Sequence, residues 1–279
     1  GGPEPYAPLS MFKLMLLGQW HGLSDAQLEQ ALKVRIDFMV FTGFEPGDAF
    51  PDATTICRFR NRLVAAKLDQ VLLKRINGQL DATIIPSAAR PRQHIEMPDD
   101  DDDGGPQVID SADTEARWTK KGNKAYYGYR GYAAVDSEDG YVEHVEMHPA
   151  NESEVKKLES LLDELPPEAD AVLADKGYAS ADNRAALAKR GLGDLIQYKG
   201  HKNKALADWQ TQMNKAIGGL RFKVEQAFGT MKRRFHLARA RYFGVAKTQA
   251  QMCWAALGMN LLKAHRKLEK MQFAGGSVS

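Results

Sequence analysis

Early in the chain, apolar positions recur at helical spacing. Leu28, Ala31 and Leu32 follow one another at intervals of three and one, and Ser24 with Gln27 forms a capping-box signature ahead of them. Pro46, Gly47 and Pro51 then punctuate the chain, and Asp52 stands where it can N-cap a second helix. On that helix Ile56, Phe59 and Leu63 share one face, while Arg58, Asn61 and Arg62 lie roughly opposite. The period changes at Leu80. Leu80-Asp81-Ala82-Thr83-Ile84-Ile85 predicts a strand, and residues 86 to 113, rich in Pro and Ser, predict a loop. Ala125 to Val135 and Tyr141 to Met147 predict a hairpin around the turn that ends at Gly140. A helix from about 152 to 165, stopped by Pro166 and Pro167, leads to a short buried strand at 171 to 174. A helix at 181 to 190, a strand at 194 to 198 and a mostly helical remainder complete the reading.

This order predicts an α+β protein. Residues 1–79 form a helical, helix-turn-helix-like unit, residues 80–270 a core of mixed sheet and helices, and residues 271–279 a tail. Three leading strands, then helix, strand, helix, strand and helix, is the order of an RNase H-like core. The longest apolar runs are far shorter than the ~20 residues of a membrane span, so no membrane partner is expected. Cys57 and Cys253 are far apart and lack metal-ligand spacing, which fits a reducing cytoplasm. Charge is divided unevenly. From Lys199 onward there are 16 Lys/Arg against 3 Asp/Glu, whereas residues 80 to 198 hold 13 basic and 25 acidic residues. A basic end on a near-neutral chain points to a local polyanion contact. The aspartate run Asp99 to Asp103 reads as a solvated, disordered acidic loop within 86–112.

Asp81 is a carboxylate in an apolar strand, an expensive place unless it is hydrated, paired or bound to a cation. Asp175 closes the strand at 171–174, where the chain must turn. Arg221, Glu225 and Lys232 are spaced by four and seven, so on a helix they share a narrow stripe. Intrahelical ion pairs would account for that stripe. They leave unexplained the surplus of Arg233, Arg234, Arg239 and Arg241 beyond it, which a phosphate backbone would use. Three carboxylates on separate elements suit two-metal phosphoryl transfer, with divalent ions ~3.5–4 Å apart.

The segments Asp81-Ala-Thr-Ile-Ile85, Asp113-Thr-Glu115 with Thr119-Lys-Lys-Gly-Asn123 and Tyr127-Gly128, Ala174-Asp175-Lys-Gly-Tyr178, and Arg221-x3-Glu225-x6-Lys232 together resemble bacterial insertion-sequence transposases. The nearest group is insertion-sequence family five, in the superfamily that includes family four. Leu23-Ser24-Asp25 and Pro51 through Ile56 with Phe59-Arg60 also resemble that family's N-terminal helices. The resemblance implies an RNase H-like core with Asp81, Asp175 and Glu225 as catalytic metal ligands for two Mg²⁺ ions, for which Mn²⁺ substitutes. It implies double-stranded DNA as partner, both transposon ends and target, bound by a homodimer. Arg221 and Lys232 correspond to the basic residues of the glutamate helix, with Lys120, Lys121, Arg233, Arg234, Arg58 and Arg62 as further DNA contacts. Two departures stand out. Gly218 occupies the position where the family has tyrosine, and the long stretch before Asp113 makes Asp110 a rival first carboxylate. A DNA-binding repressor without nuclease activity, and an RNase H-like nuclease without strand transfer, are the rival functions.

Overall fold

A computed structural model describes residues 6–66, 79–89, 94–96, 107–109, 111–136, 139–165, 169–200 and 205–275. The N-terminal helices are α1 (Pro8–His21), α2 (Asp25–Val34), α3 (Ile36–Thr42) and α4 (Ala53–Ala65). Both expected caps are present. Ser24 Oγ accepts from Gln27 N–H at 3.3 Å while Gln27 Oε1 accepts from Ser24 N–H at 2.9 Å. Asp52 accepts from Thr55 N–H at 2.6 Å. On α4 Ile56 is fully buried, and Arg58, Asn61 and Arg62 are exposed, as the helical spacing predicts.

The sheet is built on β1 (Gln79–Pro86), β4 (Arg117–Lys121), β5 (Lys124–Val135) and β6 (Val142–Pro149). The long central strand β5 pairs antiparallel with β1 along 128–135, with β4 along 124–128, and with β6 along 129–135. A parallel pair, β7 (Ala171–Ala174) with β8 (Gly193–Ile196), lies on the β1 side of this sheet. Helices α5 (Leu158–Asp163) and α6 (Ala181–Lys189) cover one face. There Tyr132 and Ala134 pack with Leu158, Leu161, Val172, Tyr178 and Leu187. The other face presents Ile85, Tyr129, Ala133 and Val145 to α8 (Phe222–Arg234) and α9 (Val245–Gly275), with α7 (Asp208–Leu220) leading into α8. Alternate residues of β5 thus enter opposite cores, as the period of two requires.

The second of these cores does not stop at the sheet. Leu14, Leu28, Leu32, Phe38 and Ile56 of α1–α4 belong to the same buried cluster as Tyr129, Met231 and Trp254. Polar links cross the same boundary. Arg241 donates to Gln19 Oε1 at 2.8 Å and to the Leu23 carbonyl at 3.1 Å. Arg60, itself buried, donates to Asp25 and lies 5.0 Å over the Tyr242 ring.

Four details differ from the pattern-based expectation. The stretch expected as loop contains a short antiparallel pair, β2 (His94–Glu96) with β3 (Gln107–Ile109), where Ile95 faces Val108 in register. The hairpin gains the edge strand β4, whose lysines obscure its pattern. The helix expected over 152–165 begins as a 3₁₀ turn, Glu154–Lys157, before the short α5. Helix α9 continues through Gly275, into the residues expected as tail. Asp99 to Asp103 and Asp110 lie outside the described residues.

Candidate active site

Asp81 is paired in register with Ala133 on β1, and its side chain lies outside the described residues. Asp175 follows the last residue of β7, the strand beside β1. It N-caps the 3₁₀ turn Lys176–Tyr178 by accepting from Gly177 N–H through Oδ1, which leaves Oδ2 without a hydrogen-bond partner among the described residues. The turn residue legible in the sequence is therefore also a carboxylate with one oxygen open.

Helix α8 starts one residue after Arg221, which is its N-cap and is buried. Glu225 lies in the first turn and is exposed. Lys232, two turns on, is half-buried and reaches β1, donating to Thr83 Oγ1 at 2.6 Å and to the Ile84 carbonyl at 3.2 Å. Burial, and then the nearby Lys121, hold the Lys232 ammonium below its ordinary pKa. So the three residues of the helical stripe have different surroundings, one buried, one in water and one tied to β1. Arg233 and Arg234 are exposed at the end of α8, and Lys120 and Lys121 are exposed on β4.

Two residues that the sequence reading did not single out, Arg130 and Glu154, join this neighbourhood. Arg130, in the middle of β5, donates to Glu154 Oε1 at 2.9 Å and to Thr119 Oγ1 at 3.3 Å. Burial pushes the Glu154 carboxyl up, with Arg130, Lys121 and Arg221 acting against that and Asp175 with it. An arginine inside an apolar strand could have signalled its site; nothing in the sequence around Glu154 did. Asp113, by contrast, is a structural hub. Fully buried, it accepts from Ser87 Oγ, Tyr129 Oη and Gly244 N–H, and Glu115 accepts from Val245 N–H, so the pair caps α9.

Among the described residues no three His, Cys, Asp or Glu side chains gather as a metal cage; Asp81 stands outside that statement. The carboxylates of Asp175 and Glu225 carry hard oxygens of the kind that suits Mg²⁺. No helix of the described residues is long and apolar enough to cross a membrane.

A central antiparallel sheet with an adjoining parallel pair, covered by helices, is the mixed α+β architecture of an RNase H-like core. Residues 80–261 match the family described as "Transposase DDE domain", and residues 1–62 match "Transposase domain (DUF772)". The chain belongs to the DDE transposase family. It is 40% identical over 227 residues to the "Transposase for insertion sequence element IS1106" of Neisseria meningitidis serogroup B, covering 76% of this chain and 78% of that protein. Together these matches place it among insertion-sequence transposases, enzymes of DNA cleavage and transfer.

Proposed function

We propose that the chain binds the terminal inverted repeats of its element as a homodimer and cuts and joins DNA through Asp81, Asp175 and Glu225. The observation that carries this reading is the Lys232–Thr83 hydrogen bond. It fastens the helix bearing Glu225 to the strand bearing Asp81, two residues from that aspartate, while β7 lies beside the same strand and leads into Asp175. Three carboxylates distant in sequence thus sit on elements that touch.

Divalent metal bound by these carboxylates would supply activation of the attacking oxygen and charge stabilisation at the leaving one. The protein's own part is positional and electrostatic. Lys121, Arg233 and Arg234, exposed beside and beyond α8, would hold backbone phosphates without reading sequence. Lys120 would extend this contact along β4. Arg221, buried at the N-cap, would brace the turn that carries Glu225. Lys232, with two contacts already made to β1, would add a phosphate contact only through its remaining donor. Arg58 and Arg62, exposed on α4, would enter the major groove, where arginine recognises guanine edges.

The test is incubation with the element's DNA ends, with and without Mg²⁺, resolving nicked, cleaved and joined products. Metal-dependent cleavage followed by joining is expected, and Asp175→Asn should bind the ends yet leave them intact. Tight binding by the wild-type chain with no cleavage in either metal would instead identify a repressor.

A further inference from the structure

Glu154 is a charged group at the site to which the reading above assigns no task. It opens the 3₁₀ turn Glu154–Lys157 and is held by Arg130, which donates to its Oε1 at 2.9 Å and braces itself on Thr119. Its other oxygen, Oε2, lies over Gly177. A Cβ built on that glycine would overlap Glu154 Oε2 and come within 3.0 Å of Asp175 Oδ1. Only glycine fits at 177 while Glu154 keeps its place. The turn that Asp175 caps is therefore seated directly against the Glu154 carboxylate, with two like charges facing each other across one backbone unit.

We propose that Glu154 is a positioning residue for Asp175. Clamped by Arg130, it seats the Gly177 turn, fixes the direction of the open Asp175 oxygen and adds negative charge beside it. This rests on the assignment of Asp175 as a metal ligand. A merely structural ion pair between Arg130 and Glu154 would affect stability alone, whereas a positioning role must also alter how the site takes up a cation.

The variants Glu154→Gln, Glu154→Asp, Gly177→Ala and Glu154→Ala with and without Gly177→Ala separate these roles. Mn²⁺ binding to the full chain without DNA is read from the electron paramagnetic resonance signal of the free ion. Single-turnover cleavage of an inverted-repeat end is followed against Mg²⁺ concentration, with melting temperature as the control. Glu154→Gln should weaken Mn²⁺ binding and raise the half-saturating Mg²⁺ roughly tenfold, as removal of one adjacent charge predicts. DNA affinity should stay unchanged, and Glu154→Asp should recover part of the loss. Gly177→Ala should act in the same direction by displacing Glu154, and should add nothing to Glu154→Ala, because both remove one contact. Unchanged Mn²⁺ binding by Glu154→Gln, or additive effects of the two alanine changes, would overturn the proposal. If Glu154→Gln fails to fold, the alanine pair decides by additivity alone. Wild-type Mn²⁺ binding and cleavage by Asp175→Asn would instead overturn the assignment of Asp175 itself, and Glu154's role with it.

Discussion

Glu143 offers the sharpest test of the energetics. It is the extra residue of a β-bulge: Ala134 pairs with His144 and Val135 with Val142, leaving Glu143 between the two pairs. The residue is 4% exposed, and among the described residues neither carboxylate oxygen has a hydrogen-bond partner. Burial, helped by the nearby charge of Asp136, pushes its carboxyl from an ordinary 4.5 up to about 8. A carboxyl that holds its proton more tightly in the fold than in the open chain favours the fold fully below pH 4.5. That advantage is lost as pH rises from 4.5 through about 8. The slope is ~1.4 kcal/mol per pH unit over this window, or about 4–5 kcal/mol in all. Glu143→Gln keeps the shape of the neutral acid and removes the titration. Its stability relative to wild type should therefore grow by ~1.4 kcal/mol for each unit of pH between about 5 and 8. Urea unfolding of both proteins at three pH values measures the difference, since the other titrating groups cancel between them. A difference that stays flat across the window would refute the reasoning, because Glu143 would then be solvated or paired in its charged form.

Asp175→Asn should lower cleavage at least a thousandfold, roughly the loss of one catalytic electrostatic group, while gel-shift affinity for the ends holds or rises slightly. Asp113→Ala removes the shared acceptor of Ser87, Tyr129 and Gly244 and should cost about 3 kcal/mol or more, read as a fall in melting temperature. On α4 the arginines should divide. Arg60→Ala leaves Asp25 without its buried partner and should lower stability, whereas Arg62→Ala should leave stability alone and reduce discrimination between repeat and random DNA in binding titrations. Arg233→Ala or Arg234→Ala should weaken binding to both DNAs and flatten the salt dependence by roughly one ion's worth, measured over a salt series.

Local signals were legible. The caps at Ser24 and Asp52, the strand through Asp81 and the turn at Asp175 each depend on neighbours a few residues away, which is where periodicity and capping rules operate. Arg60 was legible too, in hindsight: it follows Ile56 by four and so shares its inward face, but its partner Asp25 lies 35 residues earlier. Asp113 could not be placed, because its partners stand 26, 16 and 131 residues away. Glu154 was hidden for the same reason, its meaning depending on Arg130 and on a glycine two positions past Asp175. The β2–β3 pair was missed because three-residue strands carry too little period to register.

The chain leaves the sheet after β1 at Ser87 and returns at Asp113, and those two side chains are hydrogen-bonded to each other. The whole excursion between them thus begins and ends at one buried knot, which Tyr129 tightens from the sheet and Gly244 from the residue before α9. Both ends of the segment are held by the same acceptor, Asp113. In the sequence of this chain it holds three prolines and a run of five aspartates. The knot is a mooring: the end of the strand that carries Asp81 and the residue that leads into α9 are tied to one buried carboxylate, so whatever loosens Asp113 slackens both at once.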